Sequence, residues 1–370
     1  MPVRVALNGF GRIGRNTLKV LWERYPQLEV AAISVTDPHV TETRALLLKY
    51  DSTHGVFPPS VEARVEGRFS SLIVDGRRIP VIARGGLEKL PWHQMRIDIV
   101  VEATGYYRDG RVASGHLRAG ARKVILTAPP KPLDSADLVV VMGVNESSYD
   151  AERHHIVSNT SCTTNCLAPV ARVLHEEFGI VEGLLTTVHS YTSSQRLTDK
   201  THRDPRRARA AGLSIIPTST GAARMVGVVM PELEGRFDGR AIRVPTPAVS
   251  LVDFTVRLER SASAEEINQA FQDRAEGDLK GILGLVNEPL VSVDFRKDPR
   301  SAVVDGLLTM TAGSMAKVFA WYDNEWGYSH RVADFAFYMS QLDPQLRTRL
   351  DDGEERQAER VLEVSEERVE

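Results

Sequence analysis

Cysteine is nearly absent: 370 residues hold only two, Cys162 and Cys166. This excludes a disulfide framework, fits a reducing compartment, and makes a poor zinc site, so no metal is expected. Aromatic residues make up 6%, and no apolar run approaches the 18 residues of a membrane-crossing helix. The opening MPVRVALNGF lacks a signal-peptide layout, so the cytoplasm is the expected location. Neither sign of charge dominates, since 46 Lys and Arg stand against 49 Asp and Glu for a net −3. That balance gives no electrostatic basis for a nucleic-acid or acidic-membrane partner. What remains is an ordinary soluble composition, 42% hydrophobic and 26% charged, long enough for two domains.

Short apolar runs interleaved with helical patterns fill the first third: VRVALN (3–8), LEVAAIS (28–34), DIVVEAT (98–104), KVILTA (123–128) and LVVVMGV (138–144). Val-rich strands alternating with helices predict a mostly parallel sheet covered on both faces. Beyond residue 181 longer alternating strands, 241–259 and 304–323, predict an antiparallel sheet with helices on one face. A helical pattern from Tyr328 to about Leu342 follows. Residues 190–214 are polar, basic and aperiodic, which marks a functional or disordered segment. Its arginines at 203, 206, 207 and 209 suit a solvated face, acidic groups of another subunit, or an anion.

Two motifs carry chemistry. NGFGRIGR (8–15) sets Gly9, Gly11 and Gly14 in the G-x-G-x-x-G spacing, after a strand and at the start of a helix. Gly9 permits the turn, Gly11 lets backbone approach a pyrophosphate, Gly14 lets helix and strand close, and the anion rests on the helix N-terminus. The second strand ends AAISVTDP, with Ser34, Val35 and Thr36 ahead of Asp37. The acid for an adenosine ribose is therefore displaced or missing. Small hydroxyls tolerate a 2′-phosphate, so NADP is plausible beside NAD, with Thr36 and Asp37 as the candidate contacts. In SNTSCTTNC (158–166), Cys162 stands at the start of a helix whose apolar positions are Leu167, Val170, Leu174 and Phe178. A helix N-terminus favours a thiolate, which makes Cys162 a nucleophile candidate.

With KYDSTHG (49–55), TTVHSYT (186–192), RRARAA (206–211), IIPTSTGAA (215–223), IRVPTP (242–247) and WYDNEWGYS (321–329) in this order, the chain resembles phosphorylating glyceraldehyde-3-phosphate dehydrogenases from about Val3 to Leu342. The resemblance implies a Rossmann-type doubly wound domain over 1–160 and an α+β catalytic domain with a mostly antiparallel sheet over 161–328. The helix 328–342 returns to the first domain, and a charged tail occupies 343–370. It implies that Cys162 attacks the aldehyde and His189 is its base, with an imidazolium lowering the thiol pKa. Hydride transfer to NAD(P) then gives a thioester, and inorganic phosphate releases an acyl phosphate.

By the same resemblance Thr192 and Arg243 hold the substrate phosphate and Arg207 is shared between anions. Ser161, Thr163, Thr220 and Gly221 hold the attacking phosphate, and arginine suits phosphate because it binds bidentately. Arg12, Ile13, Thr104, Gly105 and Thr127 line the dinucleotide. Asn324 orients its carboxamide with Tyr328 beside it. A homotetramer is implied, with 190–214 reaching a neighbour's nucleotide. Several residues depart from the family pattern: Thr160 before Ser161-Cys162, Ser194 for an acid, and Thr201 for the proline of NAD-preferring members, where it resembles the serine of photosynthetic, NADP-using ones. The sister erythrose-4-phosphate dehydrogenase is the alternative, and Thr220-Gly221 in STGAA argues against it. The tail, ten acidic and five basic residues over 343–370, is expected to be mobile or loosely helical, peripheral and dispensable.

Overall fold

Apolar residues on successive positions of a short strand require cover on both faces, and the first half of the chain meets that requirement with a central parallel sheet. The computed structural model describes residues 2–346 except 68 and 84. Strand β1 (Val3–Asn8) leads through α1 (Arg12–Arg24) to β2 (Leu28–Val35), and α2 (Thr41–Lys49) follows. Strands β3 (Val61–Glu66), β4 (Phe69–Val74), β5 (Arg77–Ala83), β6 (Ile99–Glu102), β7 (Lys123–Leu126), β8 (Leu138–Val139) and β9 (Ile156–Ser158) complete nine strands in the order β8-β9-β7-β6-β1-β2-β5-β4-β3. All pairs from β8 to β5 are parallel, and β1 runs between β2 and β6. Their carboxyl ends therefore flank one crevice after β1, the place where doubly wound sheets take ligands.

Two features differ from the sequence reading. Strands β3, β4 and β5 form an antiparallel edge; β3 is VEARVE, too polar and exposed to stand out by apolar pattern. The run 138–144 pairs only at Leu138 and Val139, because the Asn145 side chain takes over the backbone beyond. Its Oδ1 accepts from Val141 N at 2.9 Å and its Nδ2 donates to Val139 O at 2.9 Å.

The second half builds on α3 (Cys162–Phe178), then β10 (Ile180–Ser190), β11 (Ile216–Ser219), α4 (Ala222–Val229), β12 (Phe237–Val244), β13 (Ser250–Leu258), α5 (Ala264–Glu276), β14 (Leu283–Val286), β15 (Ala302–Asp305), β16 (Met310–Ala312) and β17 (Met315–Tyr322). These eight strands run β11-β12-β10-β13-β17-β15-β14, with β16 beside β17. The sheet is mostly antiparallel, with parallel pairs at β10–β12 and β14–β15. Along β13, Ser250, Val252, Phe254, Val256 and Leu258 alternate into the core with less buried neighbours. The two long runs expected as strands are each divided. Pro245 and Pro247 separate β12 from β13, since proline offers no ladder N–H. A 3-10 turn at Gly306–Leu308 and Gly313 at φ +62 divide the second.

Helix α6 (Trp326–Leu342) crosses back, and its Val332, Phe335, Ala336 and Met339 join Leu18, Leu21, Val5 and Leu7 in one core. The beginning of the tail is also docked: residues 344–346 are helical, the second of the two states expected for it, but they are packed rather than loose. Leu346 is fully buried in that core, and the Asp343 carboxylate lies 3.6 Å from the buried Lys123 ammonium. An apolar side chain and a counter-ion for a buried cation account for the docking. The remaining tail, 347–370, lies outside the described residues. Among the described residues no helix is long and apolar enough to cross a membrane.

Candidate active site

Cys162 packs against the cores of both halves, and its side chain is half-buried at the seam. It is the first residue of α3, and the preceding Ser161 caps the helix, its Oγ accepting from Thr164 N at 3.2 Å. With that cap in place the first-turn N–H groups and the helix dipole lie beside the thiol. His189, buried near the end of β10, presents Nε2 at 3.5 Å from Sγ. Arg243 pairs with His189 across the parallel β10–β12 ladder. Its Nη1 donates to Ser190 O at 2.9 Å and lies 2.7 Å from His189 Nδ1, itself 2.7 Å from the same carbonyl. Arg243 Nε is buried without a partner.

Burial pushes the Cys162 thiol up, while the Arg243 charge and hydrogen bonds at Thr163 oppose the rise. Burial lowers His189 to about 3, with the Arg243 and Arg207 charges adding to the drop and a hydrogen bond to Ser190 opposing it. Of the neighbouring charges, that of Arg243 favours the thiolate form of Cys162.

Other candidates surround this pair. Thr163 is buried, its hydroxyl 2.9 Å from Tyr322 OH, which lies 2.9 Å from the Thr187 hydroxyl. Thr160 adopts φ +48, a left-handed conformation unusual for a β-branched residue. Tyr328 is buried and its hydroxyl donates to Thr160 O at 3.0 Å, so it props the turn ahead of Cys162. Asn324 is fixed through Oδ1, which accepts from Ser190 Oγ at 2.9 Å and Ser250 Oγ at 3.3 Å; its amide nitrogen takes no part in either bond. Thr192 Oγ1 sits 3.0 Å from Ser194 Oγ. Arg207 Nε donates to Thr218 Oγ1 at 2.9 Å, and Asp204 is 3.8 Å away. Gly221 precedes α4 with no side-chain cap, and Thr220 Oγ1 accepts from Ala222 N.

The glycine loop meets the requirements of a dinucleotide. Gly9 has φ +100, and a Cβ there would come within 2.8 Å of Thr104 N. A Cβ on Gly14 would lie 2.3 Å from Gly9 O, whereas nothing comes within 4 Å of one on Gly11. Open space over Gly11 and the uncapped start of α1, with Ile13 in its first turn, suit a pyrophosphate. Arg12 instead turns inward. It donates to Asp51 at 2.7 Å and through Nε to both Glu325 oxygens at 3.0 Å, and its Nη2 is 3.2 Å from His54 Nδ1. Beside the loop, Glu102 accepts from Thr104, and its carbonyl accepts from Thr127 N and Oγ1. Gly105 follows at φ +68.

At the end of β2, Val35 is buried, while Thr36 and Asp37 are exposed. Asp37 Oδ1 accepts from His39 N at 2.9 Å and so caps its own turn. Thr201 is exposed, and its carbonyl accepts from Arg196. Asn8, Glu102, Ser190 and Tyr322 join the site without any local sequence signal, since their partners are distant in the chain. KYDSTHG supplies Asp51 and His54, which reach Arg12. Among the described residues, no group of three or more His, Cys, Asp or Glu could hold a metal ion.

Comparison with known proteins adds the lineage. Residues 3–110 match the family described as glyceraldehyde 3-phosphate dehydrogenase, NAD binding domain, and 161–324 match its C-terminal domain. The chain is 52% identical over 342 residues to glyceraldehyde-3-phosphate dehydrogenase of Geobacillus stearothermophilus, covering 92% of this chain and 99% of that one. Glyceraldehyde-3-phosphate dehydrogenase 1 of Bacillus subtilis is 51% identical with the same coverage. The chloroplastic glyceraldehyde-3-phosphate dehydrogenase B of Pisum sativum is 52% identical over 336 residues, 90% of this chain and 73% of that one.

Proposed function

Because this chain belongs to the glyceraldehyde-3-phosphate dehydrogenase family, and is an NAD(P)-dependent oxidoreductase, we propose that it phosphorylates as it oxidises, through Cys162. The observation that carries this reading is Cys162 Sγ at 3.5 Å from His189 Nε2 with Arg243 on the far side of the ring. Sγ attacks the aldehyde carbon of glyceraldehyde 3-phosphate, and His189 takes the hydroxyl proton as the thiohemiacetal becomes a thioester. The dinucleotide, when bound, supplies the hydride acceptor. Inorganic phosphate then attacks the thioester carbonyl, expelling Sγ and giving 1,3-bisphosphoglycerate. Thr192 and Arg243 hold the substrate phosphate, Ser161, Thr163, Thr220 and Gly221 hold the attacking one, and Arg207 is shared between the two. An anion that draws Arg243 toward itself leaves His189 Nδ1–H to the Ser190 carbonyl and Nε2 as acceptor toward the reacting proton.

Gly9, Gly11, Ile13 and Gly14 cradle the pyrophosphate in this reading, with Thr104, Gly105 and Thr127 beside them. Asn324 meets the carboxamide. Tyr328 acts through Thr160 rather than on the dinucleotide. NADP is accepted alongside NAD: Asp37 is tied to its own turn by His39 N, and a buried Val35 ends the strand. Thr36, and Thr201 of a neighbour, then meet the 2′-phosphate. A specificity constant for NAD more than about a hundredfold above that for NADP would refute this.

The working unit is a homotetramer in the cytoplasm, divided at about residue 160 into dinucleotide and catalytic domains. Exposed Leu197, at 92%, and Leu213, at 88%, support a covering neighbour over this loop. Light scattering that finds a stable monomer rejects the assembly. The enzyme reading is tested by reduced-nicotinamide absorbance with glyceraldehyde 3-phosphate, phosphate and either dinucleotide; no signal with both would sink it.

A further inference from the structure

Under the loops that follow β1 and β6 lies a polar knot built from four buried side chains. Trp92 and His116 are fully buried, Asn8 likewise, and Glu102 is 2% exposed. Indole N–H can only donate. Trp92 Nε1 donates to His116 Nδ1 at 2.9 Å, so the imidazole proton is on Nε2, which lies 3.2 Å from Glu102 Oε2. The same oxygen accepts from Asn8 Nδ2. Glu102 Oε1 accepts from Thr104 N at 2.9 Å and from the Thr104 hydroxyl. A carboxylate offers about four lone-pair positions, and four donors fill them here.

We infer that Glu102 is a positioning residue for the dinucleotide, tying the two loops that border the crevice into one rigid edge, with the Trp92–His116 pair holding Glu102 in place. The inference rests on the reading that this crevice binds a dinucleotide. Asn8 directly precedes Gly9, and Thr104 directly precedes Gly105. A Cβ on Gly9 would reach Thr104 N, so the two loops already touch. The carboxylate also fixes the Asn8 amide, because only its NH2 end can face an anion. Asn8 Oδ1 is left buried without a partner, a cost tolerated at this one position beside the glycine loop. The Glu102 carbonyl accepts from Thr127 N at 3.1 Å and its hydroxyl at 3.0 Å, which brings the loop after β7 to the same anchor.

The test is dinucleotide binding by the full-length protein, measured calorimetrically with NAD and with NADP, beside thermal unfolding and turnover. Glu102→Gln keeps the shape but sets an amide against donors. It should weaken both dinucleotides about tenfold or more, the scale of one or two orphaned buried donors, while kcat at saturation stays within about threefold. His116→Gln, which can accept from Trp92 and donate to Glu102, should bind within about twofold of the parent, whereas His116→Leu should lose about five- to tenfold. Unchanged affinity in Glu102→Gln, or equal losses in His116→Gln and His116→Leu, would overturn the assignment. Should Glu102→Gln fail to fold, the His116 pair decides alone. Failure of the dehydrogenase reading would look different, as absent turnover in the parent protein with dinucleotide binding intact.

Discussion

The knot at Glu102 and the cluster at Cys162 are both polar, both largely buried and both contain an imidazole, yet their central groups are satisfied to different degrees, with Asn8 Oδ1 the knot atom left without a partner. In the knot every Glu102 lone pair has a donor, and a donor-only indole fixes the histidine tautomer. Around Cys162 the accounts stay open. The Arg243 guanidinium keeps a buried Nε without a partner, His189 Nδ1 has two competing neighbours, and the thiol is half-buried. Fully connected buried networks rigidify, whereas groups left unpaired are available to a ligand. The comparison teaches that degree of satisfaction, more than polarity or burial, separates the part that holds shape from the part that reacts.

The strongest way to sharpen this contrast is to remove the reacting atom. Cys162→Ser should abolish turnover, a loss on the order of 10⁴-fold or more, because a serine hydroxyl is not ionised near neutral pH. Dinucleotide affinity measured by calorimetry should stay near the parent value; retained turnover would break the assignment. Next comes His189→Asn, expected to slow turnover by about 10²–10⁴-fold and to slow neutral-pH alkylation of Cys162. An alkylation profile identical to the parent's would remove His189 from the pair.

A third imidazole tests the side of the comparison that holds shape. His330 is buried beside Trp326, with Arg24 Nη1 at 3.0 Å from its Nδ1, and burial lowers it to about 4. A histidine kept neutral in the fold but free to protonate when unfolded stabilises the protein above the ordinary value near 6.5. Stability should therefore fall as pH drops from about 6.5 toward 4, by on the order of 3 kcal/mol from this group. Denaturant midpoints across that range check it. His330→Gln should flatten the slope, and an unaltered slope would show that the acid sensitivity lies elsewhere. The smallest effect is expected at Thr160→Gly. Relief of the left-handed strain and the greater freedom of glycine in the unfolded chain offset each other to within about 1 kcal/mol. A loss above about 2 kcal/mol in urea unfolding would mean the Thr160 side chain contributes more than its backbone costs.

Much of this was legible in the chain. Val-rich runs predicted the parallel sheet, and the helical spacing after SNTSC placed Cys162 on a helix start, where it is found. Glycine spacing predicted the tight and open positions of the first loop, and Gly9, Gly14 and Gly11 behave accordingly. What stayed hidden was long-range and polar. Glu102 read as one residue of a strand, because nothing local says that His116 and Asn8 will meet it. Asp51 and His54 likewise gain meaning only when Arg12 arrives from 39 and 42 positions away. The divided strands near Pro245 and Gly313 were visible as turn residues but were outweighed by apolar alternation. The docking of Asp343 and Leu346 was masked by the charge of the segment that follows.

Helix α6 is the last long helix among the described residues, yet its Val332, Phe335, Ala336 and Met339 wall the core begun by Val5 and Leu7. During synthesis on a ribosome the amino-terminal half thus emerges long before the surface that seals it. Until α6 has emerged, the sheet carries an open apolar flank. A chain cut before α6 would therefore keep every strand of both sheets and still lack the surface that seals the first one.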